Sequence, residues 1–272
     1  MTVQSSWHQH SEVCSGNYQS PIHIDPQKAV PLAIPALEMI GFRNLLPRPV
    51  SVTNNGHSVE LKPSGRKHGK IFGALLSGIY NVEAIHFHWG RSNNRGSEHV
   101  ISNVRYPLEM HIVTRNHRYE TISEALKYKD GITVMAFFFH LRERGNSALQ
   151  PLIDELEMVQ TDGSTVYLSK SLTLSALLPH DIDIFYTYRG SLTTPPCSEA
   201  VTWIVFPDPM PISYTQMKKF RQLSMGPEAM VDNYRHLQPV GKRKIFVRRQ
   251  ASEFLIHRNV FRNHTVAEFW ED

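Results

Sequence analysis

Cysteine is almost missing from this chain, with only Cys14 and Cys197 among 272 residues. Two cysteines so far apart are either free thiols in a reducing compartment or one long-range disulfide in an oxidising one, and composition alone leaves both open. A bridge would close a loop of about 180 residues, worth roughly 5 kcal/mol of chain entropy before strain. Long apolar runs are also missing, so no segment reads as a membrane span. The N-terminal MTVQSSWHQH is too polar for a signal peptide, so the expectation is a soluble chain or a secreted one whose targeting segment has been removed. No charge of one sign dominates: 29 basic residues face 25 acidic ones, for a net +4 and a pI near 9.0. The basic clusters Arg66-Lys67-His68-Gly69-Lys70 and Lys242-Arg243-Lys244 with Arg248-Arg249 lack interleaved aromatics. They read as a solvated loop and a solvated strand end, which argues against a nucleic-acid partner. No internal repeat, low-complexity tract or Gly/Pro/Ser linker divides the chain, so one domain is expected.

What is present suits a globular core: 41% of residues are hydrophobic and 20% charged. Strand-like runs rich in β-branched and aromatic residues dominate the middle of the chain. They are IHFHWG (85–90), LEMHIVTR (108–115), TVMAFFFHL (133–141), DIFYTYRG (183–190) and AVTWIVF (200–206). Helical signals are fewer. Thr121-x-x-Glu124 is a capping box that opens a short helix ending before Gly131. Leu149, Leu152, Ile153 and Leu156 follow helical spacing, and Ser213 to Leu223 forms a third candidate. The fold class is mainly β (α+β), a single domain with short peripheral helices.

Fifteen histidines is a high count, and their placement is informative. In a strand, residues i and i+2 share a face, so His86 and His88 project together while Phe87 points the other way. By itself such a pair is more often a hydrogen-bonded core pair than a metal site. Glu109-Met110-His111, on the next strand-like run, supplies a third imidazole. Three neutral imidazoles without a fourth protein ligand describe a catalytic zinc site, whereas a structural site needs four ligands, usually with cysteine. No HExxH occurs, so the helical metalloprotease arrangement is absent. Glu109 shares the face of His111, where a carboxylate fixing an imidazole would stand.

Eight stretches, in order, then identify a resemblance. QSPIHI (19–24), NNGH (54–57), IHFHWG (85–90), GSEH (96–99), EMHIV (109–113), SLTTPPC (191–197), VTWIV (201–205) and MVDNYR (230–235) resemble the α-class carbonic anhydrases from about Trp7 to about Arg249. The resemblance implies a ten-stranded, twisted, mostly antiparallel central sheet with zinc at the floor of a conical cleft. The domain is placed at 1–250, followed by a C-terminal tail, 251–272, of unassigned structure. It also implies a zinc enzyme that interconverts carbon dioxide and water with bicarbonate and a proton, by attack of zinc-bound hydroxide. Sulfonamide-type and anion inhibitors are expected, and no protein partner is assigned. The alternative is a catalytically weak or silent binding domain of the same fold. Silent members characteristically lack one or more of the zinc histidines.

Residue by residue, the resemblance assigns zinc to His86, His88 and His111. Thr193 is the hydroxyl that accepts from the zinc-bound hydroxide, and Glu98 is the carboxylate that takes the hydrogen bond of Thr193. Thr194 lies beside bicarbonate, and Val113, Val134, Leu192, Val201 and Trp203 form an apolar wall for carbon dioxide. His57 is the proton shuttle, Asn54 a polar residue ordering its water chain, and Glu109 the carboxylate behind His111. Cys14 and Cys197 match the pair bridged in secreted and membrane-anchored members, which implies a disulfide and an extracellular or secretory-pathway location. Asn263-His264-Thr265 is a glycosylation candidate at Asn263, consistent with secretion.

Three positions depart from the family pattern. Ala84 stands where a Gln usually hydrogen-bonds the first zinc histidine, so weaker zinc retention or reduced turnover is expected. No Tyr-Gly segment precedes Trp7. Glu60 occupies a position near the shuttle that is often neutral and polar.

Overall fold

The computed structural model describes residues 12–65 and 68–249. The tail 251–272 with Asn263, the segment around Trp7, and Arg66 and Lys67 of the first basic cluster lie outside the described residues.

Twelve strands form the main sheet. In chain order they begin with β1 (Val30–Leu32), β2 (Leu37–Ile40), β3 (Val50–Asn54), β4 (Val59–Pro63) and β5 (Lys70–Gly73). The long central strands follow: β6 (Tyr80–Trp89), β7 (Leu108–Asn116) and β8 (Ile132–Leu141). The remainder are β9 (Thr165–Tyr167), β10 (Phe185–Gly190), β11 (Val201–Ile212) and β12 (Phe246–Arg248). Ten lie in one row, β9-β3-β4-β6-β7-β8-β11-β10-β12-β1, which is the expected ten-stranded sheet. The other two, β2 and β5, pair with each other and branch from β6. Most pairings are antiparallel, but β8 with β11 and β12 with β1 run parallel, so the sheet is mixed.

Period-two alternation decides what each face of this sheet does. One register row across β6, β7, β8 and β11 reads Phe87, Met110, Phe137, Phe206. All four belong to the larger apolar cluster, with Phe137 and Phe206 stacked at 4.9 Å. The adjacent row reads His86, His111, Ala136, Val205 and faces the opposite way. Ala136 and Val205 sit in a second, smaller cluster with Val134, Val201 and Trp203. The same strands therefore bury a continuous aromatic core on one side and present imidazoles on the other.

Among the described residues, three α-helices decorate the sheet. α1 (Ile122–Ala125) is capped by Thr121, which accepts from Glu124 N. The expected box is only half formed, because the Glu124 carboxylate accepts from Glu120 N instead of the Thr121 backbone. α2 (Gln150–Glu155) buries Leu152 and Ile153, and 3-10 turns on either side bury Leu149 and Leu156. α3 (Tyr214–Arg221) carries the complete box of Ser213 and Gln216 and buries Met217 and Phe220, the latter against Phe87 and Trp89. No helix among the described residues is long and apolar enough to cross a membrane. Of the second basic cluster, Arg243 donates to the carbonyls of Val240, Arg189 and Pro239, and Arg248 to that of Ile34. These guanidinium groups tie down chain segments as well as meeting solvent.

Cys14 and Cys197 form a disulfide, with Cα atoms 5.0 Å apart across a separation of 183 residues. Both are buried, and Arg235 donates to Cys14 O while Gln19 donates to Cys197 O. Replacing both cysteines by serine is expected to lower stability by up to ~5 kcal/mol, the loop-closure entropy of so long a crosslink. Thermal unfolding of the variant, compared with the native chain before and after reduction, checks this. Equal midpoints for all three would show that the bridge contributes nothing.

Candidate metal centre

The three histidines meet because β6 and β7 are in register. His86 lies directly opposite His111, and His88 opposite Glu109. One nitrogen from each imidazole can be chosen so that all three atoms fall within 4.8 Å of one another. His111 Nδ1 is 3.1 Å from His86 Nε2.

The far side of each ring fixes which nitrogen faces the centre. His88 Nδ1 donates to Asn233 O at 2.8 Å, which leaves Nε2 as a lone pair. His111 Nε2 donates to Glu109 Oε1 at 2.7 Å, which leaves Nδ1 as a lone pair. His88 Nε2 and Glu98 Oε2 are buried without a hydrogen-bond partner among the described residues, and lie 3.4 Å apart. A buried lone pair without a donor is costly unless a cation meets it. Burial pushes the pKa values of His86 and His111 down; neighbouring imidazoles add to this, and Glu109 offsets part of it. Neutral rings are the ligating form, and three nitrogens without sulfur are the donor set of an open zinc site. The residues fit the metal.

Behind His111, Glu109 is fully buried. Burial alone opposes its charge, but His99 and His111 overcome this and hold the carboxyl well below the usual range. His99 donates to it twice, from Nδ1 to Oε1 at 2.7 Å and from its backbone N–H to Oε2 at 2.9 Å. His99 Nε2 is 2.7 Å from the Tyr188 hydroxyl, which is 3.0 Å from Ser20 Oγ. His99, Tyr188 and Asn233 were not singled out from the sequence. They stand within or near the GSEH, DIFYTYRG and MVDNYR stretches, but only the fold brings them to the histidines.

A cavity of about 390 Å³ opens above the centre, and its walls include His57, Glu60, His86, His88, Glu98, Thr193 and Thr194. His57 is exposed in the turn between β3 and β4, and its carbonyl accepts from Asn233 Nδ2 at 2.8 Å. Asn233 thus holds the His57 turn and the His88 ring at once. Burial raises the Glu60 pKa, with Lys62 offsetting part of the effect. Val113, Val134, Leu192, Val201 and Trp203 lie in or against the smaller apolar cluster. The Trp203 ring centroid is 4.9 Å from that of His111.

Two expected placements need correction. Asn54 does not face the cavity. Its amide nitrogen donates to the carbonyls of Val159, Gln160 and Ser224, and its oxygen accepts from Gly56 N. It shapes the turn, and its neighbour Asn55 takes the place on the cavity wall. Glu98 does not bond Thr193 in this structure. Its Oε1 accepts from Arg235 N at 2.8 Å, and its Oε2 turns towards His88.

A family model for eukaryotic-type carbonic anhydrases matches residues 2–249, and the chain belongs to that family, the α class. It is 36% identical over 248 residues to carbonic anhydrase 7 of Mus musculus, covering 89% of this chain and 92% of that relative. The family is zinc-dependent and supports hydration of carbon dioxide in general. Replacing Glu109 by Gln should weaken zinc retention by about 10- to 100-fold, because the amide removes the charge behind His111 and sets an NH2 group against the His99 backbone N–H that Oε2 now accepts. Zinc release to a competing chelator measures it, and release at the native rate would remove Glu109 from this role.

Proposed function

We propose that this chain is an active carbonic anhydrase, interconverting carbon dioxide and water with bicarbonate and a proton. The observation that carries the reading is the convergence of three imidazole nitrogens, with the tautomers of His88 and His111 set by Asn233 and Glu109. Zinc, when held by His86, His88 and His111, lowers the pKa of water so that a nucleophile is available near neutral pH, an effect for which carbonic anhydrases are the standard example.

The chain's own residues do the rest. Glu98 is pinned through Oε1 by the Arg235 backbone, and its Oε2, turned towards His88 in this structure, is the oxygen that would swing to accept from the Thr193 hydroxyl. Thr193 then acts only as an acceptor and orients the nucleophile, with Thr194 beside the product. Val113, Val134, Leu192, Val201 and Trp203 offer an apolar wall, which suits a substrate with no net dipole. His57, exposed at the cavity wall, carries the proton to solvent, the general acid–base role most often filled by an imidazole. The disulfide suits an extracellular or secretory-pathway location, where such bonds persist.

Stopped-flow carbon dioxide hydration by the zinc-loaded chain tests this directly. Turnover well above buffer is expected, with loss in a His88→Ala control. A loaded chain no faster than buffer would favour a silent binding domain of the same fold. His57→Ala should lower turnover by about 100-fold, at the modest end of general acid–base contributions. Added imidazole should restore part of it, and unchanged turnover would mean that another group carries the proton.

A further inference from the structure

Each imidazole of the centre needs an acceptor behind the nitrogen that turns away from the ion. His88 has Asn233 O at 2.8 Å, and His111 has Glu109 Oε1 at 2.7 Å. His86 has none: among the described residues its only ring hydrogen bond joins Nε2 to His111 Nδ1. A neutral imidazole carries one ring proton, so offering the Nε2 lone pair to an ion puts that proton on Nδ1. Ala84, two residues earlier on the same face of β6, has only a methyl group to offer.

Directly across the ladder, β4 places Glu60 opposite His86. Such opposed residues share a face, with Cβ atoms about 4.5–5.5 Å apart, within reach of a glutamate side chain. Glu60 and His86 line the same cavity. Glu60 is half-buried, and among the described residues its carboxylate makes no hydrogen bond or ion pair. A carboxylate without a donor and an N–H without an acceptor therefore face each other on one wall. Rotation of the glutamate side chain is enough to join them. The strand pairing is itself pinned at this point, because Ser58 Oγ accepts from Phe87 N at 3.0 Å and donates to Phe87 O at 2.6 Å.

We propose that Glu60 is the positioning residue for His86, accepting from Nδ1–H across the β4–β6 ladder and so presenting Nε2 to the metal. The proposal rests on the zinc-site reading above. It assigns the third orienting group to a neighbouring strand, where the strand that carries the ligand has only Ala84.

The test uses the full chain loaded with zinc. The native protein should take up one zinc per chain. Glu60→Ala and Glu60→Leu should release it to a chelator about 10- to 100-fold faster, with Lys62→Ala unchanged. In the Glu60→Ala background, Ala84→Gln should restore slow release, because an amide oxygen on the same face replaces the lost acceptor. In ¹H–¹⁵N spectra the His86 Nδ1–H signal should be protected in the native protein and lost to exchange in Glu60→Ala. Thermal unfolding of both Glu60 variants separates misfolding from loss of the contact. A folded variant with native release and an unchanged signal overturns this inference alone. A native chain that takes up no zinc overturns it together with the zinc-site reading.

Discussion

Glu109 carries a charge where no water reaches it, and the architecture of the site follows from keeping that charge satisfied. A buried carboxylate is tolerated only when hydrogen bonds replace its hydration. Here His99 supplies two and His111 one, so His99 and Tyr188 are needed to hold Glu109, and Glu109 is needed to hold His111. The network reaches Ser20, whose hydroxyl accepts from Ser191 N at the root of the loop bearing Thr193. A change at Tyr188 or Ser20 would thus be felt at His111 through a chain of short contacts.

Register is the second constraint, and it serves core and centre at once. Phe87 and His86 are adjacent on one strand, and one packs on Phe220 while the other faces the cavity. A one-residue slip of β6 against β7 would turn the imidazoles into the aromatic core and the phenylalanine into the cavity. The cost of exposing Ile85, Phe87 and Trp89 of β6 together, several kcal/mol at about 1.5–3 each, holds the histidines in place more firmly than their own contacts could. Here the core provides the precision of the metal centre.

Much of this was legible in the sequence because it depends on local pattern. The i, i+2 spacing placed His86 and His88 on one face, the strand-like runs marked the central strands, and Ser213 with Gln216 marked the start of a helix. What escaped depends on contacts remote in the chain. Asn54 shares a motif with His57, yet its amide answers three carbonyls up to 170 residues away. Asn233 reaches His88 across 145 residues, and Arg235 reaches Glu98 across 137. No periodicity encodes such pairings. Resemblance marked the stretches that contain them, and the fold showed what each side chain touches.

The two walls of the cavity are held by different means, and the difference follows from their backbones. The histidine wall is continuous sheet, so ladder hydrogen bonds fix it without crosslinks. The stretch with Thr193 and Thr194, which also lines the cavity, lies outside the described strands. It is secured by tethers instead: the Cys14–Cys197 bridge, Gln19 on Cys197 O, and Arg235 on Cys14 O, Gln19 Oε1 and Ser20 O. Arg235 also fixes Glu98 through its backbone N–H, so one residue links the tethered wall to the carboxylate facing the ligands. Distances among the three histidines are therefore a property of the sheet. The distance from the histidines to Thr193 is a property of the tethers, and loosening a tether would spare the histidine geometry while displacing Thr193.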